Sequence, residues 1–263
     1  MNIAMPINLA DGYKSPSQRA RVVTEGWATK ELYCPACSQE RLTPTPPNTR
    51  AVDFECHQCM QSYQLKGKSS AFTGKVIDGA YEIMMAALRS DTAPNLLLLH
   101  YSPTAWAVAN LMLVPAFAFS SSAIEIRKPL APTARRAGWV GCFIVLSRIP
   151  PEARINLVVD GQTISPSSVR AKYQRLLPLK QIAVQERGWT LDVLNVARSL
   201  NRSEFTNEDM YAHKEVLEKL HPENRHVTDK IRQQLQILRD TGFLTHVGRG
   251  RWSLATLRSF SED

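Results

Sequence analysis

Apolar residues recur along the first 180 positions at two different spacings, and each spacing predicts a different kind of element. Helical spacing covers residues 15–27, where Ser15 or Ser17 is the expected cap, and residues 76–90. Short apolar runs bounded by Pro, Gly and Ser predict buried strands over residues 95–101, 110–117 and 139–146. Helices packed on a mixed sheet are therefore the expected architecture of this part.

The pattern changes character after Gly188. Amphipathic spacing and end signals predict helices over residues 190–200, 206–220 and 227–242. The second of these begins with the capping box Thr206-x-x-Asp209. Residues 243–254 alternate around a Gly-Arg-Gly turn, which is typical of a β-hairpin. Three helices followed by a two-stranded wing predict a winged helix.

We expect the two patterns to mark two domains, over residues 1–183 and 184–256, with residues 257–263 as a tail. The formal net charge is +8, and residues 1–180 carry 20 Lys and Arg against 12 Asp and Glu. Residues 181–263 carry 12 of each sign, so all the excess positive charge lies in the first domain. This charge balance favours a polyanionic partner such as nucleic acid.

The sequence predicts no exported or membrane-spanning segment. The first 14 residues lack the basic start and apolar core of a signal peptide, and the most apolar region is interrupted by Asn110 and Pro115. The chain has five cysteines, of which four occur in two Cys-x-x-Cys pairs. This usage fits a cytoplasmic zinc-binding protein better than a disulfide-stabilised secreted one.

The two cysteine pairs have the spacing of a four-cysteine zinc site. Eighteen residues separate the pairs, which consist of Cys34, Cys37, Cys56 and Cys59. Four thiolates complete a tetrahedral sphere and leave no open position, so the expected zinc is structural. Unrelated buried cysteines are the alternative, and His57 is a weaker candidate ligand.

The second cysteine pair lies inside a polar hairpin with catalytic character. In an extended strand Gln64 and Lys66 point to one face and Leu65 to the other, and a hairpin can bring Asp53 beside them. Carboxylate and carbonyl oxygens hold Mg²⁺, and a lysine can orient the attacking water in phosphodiester hydrolysis. From the spacing alone, a polar surface hairpin next to a zinc site is the favoured interpretation.

Long motifs distributed over nearly the whole chain resemble the DpnI-like family of methyl-directed type II restriction endonucleases. They are DGYKSPSQRARVVTEGW, VDFEC, QLKGK, DGAYEIMM, RKPLAPTARRAGWVGC, DGQ, SEFTNEDMY and KIRQQLQILRD. The resemblance implies an α/β (α+β) nuclease core of the PD-(D/E)xK type with a four-cysteine zinc site, followed by a small winged-helix domain. It also implies cleavage of double-stranded DNA at GATC sites that carry N6-methyladenine.

The same resemblance implies roles for the polar hairpin. Asp53 and Lys66 occupy the positions of the catalytic aspartate and lysine, and the backbone carbonyl of Leu65 is an expected ligand of catalytic Mg²⁺. Position 64 departs from the family pattern, because Gln64 stands where an acidic residue is expected. An amide oxygen can bind Mg²⁺ but contributes no negative charge.

Three explanations of Gln64 remain open at this point. The chain is a natural variant that works with glutamine, or another carboxylate such as Glu55 or Glu82 substitutes, or the glutamine was introduced to block cleavage. Catalysis by this chain is therefore expected to be reduced or absent unless a carboxylate comes from elsewhere.

Two basic regions are candidates for DNA contact. In the first domain Arg135 and Arg136 precede Trp139, whose indole face can pack on a base or a methyl group, although a solvated loop with a core tryptophan is the alternative. In the winged helix, Arg and Gln side chains suited to base edges or phosphates are Arg232, Gln233, Gln236, Arg249 and Arg251. Many winged helices bind proteins, and the neutral charge of this domain leaves that possibility open.

Discrimination of methylated DNA requires more than one contact. Burial of one methyl group contributes about 0.8 kcal/mol, roughly fourfold in affinity, so reading the methyl groups of both strands in two domains would multiply the preference. The alternative function is a zinc-containing transcription regulator whose winged helix binds an operator without chemistry. Neither function implies a membrane or an obligatory protein partner.

Overall fold

The computed structural model describes residues 1–47, 49 and 51–255. Its helices are α1 (Pro16–Glu31), α2 (Tyr81–Arg89), α3 (Pro166–Lys180), α4 (Val184–Ser199), α5 (Asn207–Tyr211), α6 (Lys214–Leu220) and α7 (Val227–Asp240). Short 3-10 turns occupy Ile7–Ala10, Ala116–Ala118, Ser121–Ala123, Leu146–Arg148 and Pro151–Ala153. The expected tail, residues 257–263, lies outside the described residues.

The strands of the N-terminal part form two sheets. They are β1 (Thr43–Pro44), β2 (Phe54–Glu55), β3 (Ser62–Lys68), β4 (Lys75–Ala80), β5 (Asn95–Ser102), β6 (Ala107–Val114), β7 (Ile124–Ile126), β8 (Gly141–Val145), β9 (Ile155–Val159) and β10 (Gln162–Thr163). The larger sheet has the order β1-β2-β3-β5-β6-β9-β10, and the smaller has the order β4-β8-β7. Strands β3 and β5 are parallel and their neighbours are antiparallel, which confirms a mixed sheet with helices.

The core follows from the apolar runs of the sequence. Residues Asn95–Leu99 of β5 are all buried, as expected of a central strand that is covered on both faces. Helix α1 packs against β3, where the side chain of Thr24 lies 3.7 Å from the position that a Cβ on Gly67 would occupy. Helix α3 begins at a Ser165 cap, whose hydroxyl accepts from the backbone N–H of Ser168 at 3.2 Å.

One helix prediction in the N-terminal part was half wrong. Residues 76–90 were expected to be helical throughout, but Lys75–Ala80 form β4 and only Tyr81–Arg89 form α2. Strand β4 pairs with Gly141–Val145 of β8, and this long-range pairing overrides the local helical spacing. Ser15 does precede α1 as its N-cap residue, but its side chain makes no capping hydrogen bond and instead lies 2.9 Å from the Ser17 hydroxyl.

The C-terminal part is a helical domain with a small sheet. It contains β11 (Glu204–Thr206), β12 (Leu244–Gly248) and β13 (Arg251–Leu254), paired in the order β11-β13-β12. The wing is therefore part of a three-stranded sheet, because Glu204–Thr206 adds a strand that the local pattern did not predict.

The capping box of this domain formed as expected. Asp209 N–H donates to the Thr206 hydroxyl at 3.1 Å, and Thr206 N–H donates to the Asp209 carboxylate at 2.7 Å. The helix expected over residues 206–220 is interrupted, however, and divides into α5 and α6. Within the described residues, no helix is sufficiently long and apolar to cross a membrane.

Candidate metal centre and nuclease hairpin

The four cysteines of the two pairs converge into one cluster. The Sγ atoms of Cys34 and Cys59 lie 3.5 Å apart, as do those of Cys37 and Cys56, and all four lie within 4.8 Å of one another. Such separations match a tetrahedron of thiolates about 2.3 Å from a central ion. The cluster can therefore hold a zinc ion.

The Cys34 side of the cluster is buried and hydrogen-bonded. Burial raises the pKa of the Cys34 thiol to about 11. The Tyr63 hydroxyl lies 3.2 Å from Cys34 Sγ, and burial raises the pKa of Tyr63, which keeps it a neutral donor. Arg170 of α3 donates to the backbone carbonyl of Cys34 at 3.1 Å and ties this loop to the domain.

Asp53 and the segment after the second cysteine pair come together as the spacing predicted. Phe54 pairs with Tyr63 across β2 and β3, and the Asp53 N–H donates to the Tyr63 carbonyl at 2.9 Å. One Asp53 carboxylate oxygen accepts from the Leu65 backbone N–H at 2.7 Å. Asp53 is thus held directly beside Leu65, which lies between Gln64 and Lys66 on β3.

Lys66 has a partner that the sequence did not identify. Its Nζ lies 2.6 Å from Oδ1 of Asp78 on β4, and the Asp78 side chain is only 6% exposed. This Oδ1 has no donor in hydrogen-bond geometry among the described residues, so the interaction is a charge contact. Asp78 could not be found by spacing, because β4 belongs to a different sheet from β3.

A second acidic residue missed by the sequence analysis lies near Asp53. Glu25 of α1 lines a cavity of about 300 Å³ together with Arg21, Asp53 and Leu65. Burial raises the pKa of Glu25, the Arg21 guanidinium lowers it, and the negative charge of Asp53 raises it. The pKa of Glu25 is raised on balance, mainly by its burial.

The basic regions are exposed on both parts of the chain. The Arg136 guanidinium lies over the Trp139 ring, 4.7 Å from its centroid, while Arg135 is exposed. The Trp139 ring in turn covers Gly141, where a Cβ would approach the ring to 2.8 Å. Glycine at 141 is therefore required for this packing of the indole.

The winged-helix candidates lie on one helix and on the wing. Arg232, Gln233 and Gln236 are all exposed on α7, whose buried residues include Ile231, Leu235 and Leu238. On the wing, Arg249 and Arg251 are exposed, and Arg251 pairs with Glu204 at 2.9 Å. These side chains are therefore accessible to a ligand.

Comparison with known protein families gives two consecutive matches. Residues 1–182 match the model described as the DpnI, Dam-replacing family, and residues 185–253 match its HTH domain. The chain belongs to the Dam-replacing family. Membership of this family supports a methyl-dependent restriction enzyme, a site-specific nuclease, and the HTH domain implies DNA binding.

Proposed function

We propose that this chain is a type II restriction endonuclease that hydrolyses both strands of DNA at GATC sites containing N6-methyladenine. The observation that carries the proposal is the 2.7 Å hydrogen bond from the Leu65 N–H to Asp53, which holds a carboxylate against the Gln64–Lys66 segment. Family membership supports a methyl-dependent nuclease, and the resemblance supplies the finer substrate.

The residues of the hairpin fit a hard divalent cation, because the donors are oxygens. Asp53 would hold Mg²⁺ with the carboxylate oxygen that is free of the Leu65 N–H, together with the Leu65 carbonyl and the Gln64 amide oxygen. Bound Mg²⁺ would lower the pKa of a water molecule and offset charge on the scissile phosphate. Lys66 would orient the attacking water once its ammonium group leaves Asp78, giving this hairpin the PD-(D/E)xK arrangement.

Zinc has a structural role in this proposal. Four thiolates fill the coordination sphere, so no substrate water can bind there. One zinc per chain would hold the loop before β1 and the hairpin between β2 and β3 in place. Zinc would then affect catalysis only by keeping the catalytic hairpin in place.

DNA recognition is divided between the two proposed domains, residues 1–183 and 184–256. In the first, Trp139 would meet a methyl group while Arg135 and Arg136 contact the DNA. In the second, α7 would read base edges and the wing arginines would contact phosphates. Burial of one methyl group contributes only about 0.8 kcal/mol, which is too little for a strong preference for methylated over unmethylated DNA. Methyl contacts in both domains would account for such a preference.

The test uses plasmid DNA with and without adenine methylation, incubated with Mg²⁺ and either this chain, Gln64→Glu or Asp53→Ala. We expect fragments only from methylated plasmid, faster cleavage by Gln64→Glu, and none by Asp53→Ala despite retained DNA binding. If both this chain and Gln64→Glu bound DNA without cleaving it, the result would instead favour the alternative function, a DNA-binding regulator. Cleavage of both plasmids alike would contradict the methyl dependence.

A further inference from the structure

The face of β3 that carries Gln64 and Lys66 continues onto the next strand. Strands β3 and β5 are parallel, with Lys66 opposite Leu98 and Lys68 opposite His100. Partner residues of neighbouring strands project to the same face of a sheet, and alternate residues of one strand share a face. His100 and Lys68 therefore lie on the same face as the proposed catalytic lysine, and both are partly exposed.

The imidazole ring of His100 is oriented by Asn110 of β6. The Asn110 side-chain nitrogen lies 3.2 Å from His100 Nδ1, and the Asn110 side-chain oxygen accepts from the Asp160 backbone N–H at 3.0 Å. Because the amide oxygen is engaged by that donor, the amide nitrogen faces the imidazole, and this group can only donate. Nδ1 is therefore the acceptor, and the neutral ring carries its proton on Nε2.

The Nε2–H group of His100 is an unused donor. Among the described residues it has no hydrogen-bond partner, and Nε2 is not one of the buried side-chain atoms that lack a partner. The donor is thus fixed in direction by Asn110 and accessible from outside. It suits a ligand that offers only acceptors, as the oxygens of a phosphodiester do.

The charge of this face favours an anionic ligand. Lys66 is paired with Asp78, whereas the Lys68 ammonium group lies over the Phe72 ring, 4.5 Å from its centroid, and has no acidic partner among the described residues. A cation and a neutral N–H donor thus stand on adjacent strands, directly opposite each other. This pair offers both the positive charge and the directed hydrogen bond that phosphate contacts use.

We propose that His100 and Lys68 form a binding site for the phosphodiester backbone of DNA next to the catalytic hairpin. The Nε2–H of His100 donates to a phosphate oxygen, Lys68 supplies the charge, and Asn110 is the positioning residue that sets the tautomer. This inference rests on the proposed nuclease function, because DNA must cross the face of β3 that carries Lys66. The site holds the strand without reading its sequence.

The test is DNA binding by the full chain without Mg²⁺, on methylated and unmethylated GATC duplexes. Three replacements separate the outward donor of His100 from its contact with Asn110. In His100→Gln the amide nitrogen can take the place of Nε2, in His100→Asn the shorter amide reaches only Asn110, and His100→Leu removes both groups. We expect His100→Asn and His100→Leu to weaken binding to both duplexes alike by about tenfold, and His100→Gln by less than about threefold.

Lys68→Met is the charged reference for this series. It should weaken binding to both duplexes and reduce the salt dependence of the affinity by about one phosphate contact. His100→Leu should leave the salt dependence unchanged, because a neutral ring displaces no counterion. Urea unfolding of each variant checks that the fold is intact.

The outcomes separate this inference from the nuclease proposal. Tight binding by His100→Asn, or a His100→Gln variant as weak as His100→Leu, would show that the histidine only packs against Asn110 and would overturn the site. Unchanged binding in both Lys68→Met and His100→Leu would overturn it too, since DNA would then not cross this face. A reduced salt dependence in His100→Leu would contradict the neutral donor. The nuclease proposal is judged separately, by cleavage of methylated plasmid by Gln64→Glu.

Discussion

Lys66 and Asp78 form the contact that most affects how mutants of the catalytic hairpin will behave. The Asp78 side chain is 6% exposed, whereas that of Lys66 is 26% exposed, so the lysine shields a nearly buried carboxylate. Replacing one partner of such a pair leaves the other charge buried without compensation. Loss of cleavage in a Lys66 variant can therefore arise from stability as well as from chemistry.

We expect Lys66→Met to lower the free energy of unfolding by about 1–3 kcal/mol, because Asp78 loses its counter-charge. Lys75→Met is the matched control, since Lys75 pairs at the surface with Glu125, whose side chain is 36% exposed. An exposed pair of this kind contributes at most about 1 kcal/mol. Urea unfolding of both variants measures the difference. Equal losses in the free energy of unfolding would show that the Lys66–Asp78 pair stabilises the fold no more than the surface pair does.

At the scale of elements, the four-cysteine cluster links the loop before β1 to the loop between β2 and β3. Strands β1 and β2 comprise only Thr43–Pro44 and Phe54–Glu55, and β2 leads directly to the second cysteine pair. The metal would supply the interactions that such short strands lack.

The zinc prediction is one ion per purified chain by elemental analysis. Cys37→Ser should lose zinc and become sensitive to protease near residues 34–59, because three thiolates bind the ion less well. Cys142→Ser is the control: Cys142 is a buried cysteine of β8 outside the cluster, and this variant should keep its zinc. A Cys37→Ser protein with full zinc content would exclude Cys37 as a ligand.

The loop between β7 and β8 carries the methyl-recognition prediction. Trp139→Ala should reduce the preference for methylated over unmethylated GATC duplexes, because the indole offers the flat apolar surface that a methyl group requires. Arg251→Ala, a phosphate contact in our proposal, should weaken binding to both duplexes alike and flatten its salt dependence. Binding titrations without Mg²⁺ compare the parent and both variants on the two duplexes. If Trp139→Ala kept the full preference for methylated DNA, another residue would have to contact the methyl group.

At the scale of the whole molecule, helix α4 joins the two parts through polar contacts. The Arg187 side chain, nearly buried, donates to both carboxylate oxygens of Asp91 at 2.8 and 3.0 Å. The Ser122 hydroxyl donates to the Asp192 carboxylate at 2.6 Å, and Arg198 pairs with Glu152. These contacts connect the N-terminal part to the helical part.

This junction predicts a dependence of stability on pH. The hydrogen bond from Arg187 holds the pKa of Asp91 below its usual value. The pair therefore stabilises the fold fully at pH values above the usual pKa of an aspartate, and this stabilisation is lost as the pH falls through the lowered pKa of Asp91. Asp91→Asn and Arg187→Met should therefore be less stable than the parent at pH 7, with a difference that shrinks below about pH 4. Urea unfolding across this range tests it, and parallel curves for parent and Asp91→Asn would contradict the linkage.

Local spacing was sufficient to predict much of this molecule. The cysteine quartet, the buried strands at 95–101 and 139–146, the capping box at Thr206 and the helix beginning at Val227 were all read from neighbouring residues. Each depends on a pattern that repeats within one turn, one strand or one metal-binding loop. Such patterns predict structure correctly where no long-range pairing overrides them, as β8 overrides the helical spacing at Lys75–Ala80.

Only the tertiary structure decided the contacts between distant segments. The strand at Lys75–Ala80 exists because β8 pairs with it, Asp78 meets Lys66 because two sheets come together, and Glu25 reaches the Asp53 cavity because α1 packs on β3. The physical reason is common to all three. Such contacts depend on how whole elements pack, and the spacing of residues along the chain carries no information about which elements will be neighbours.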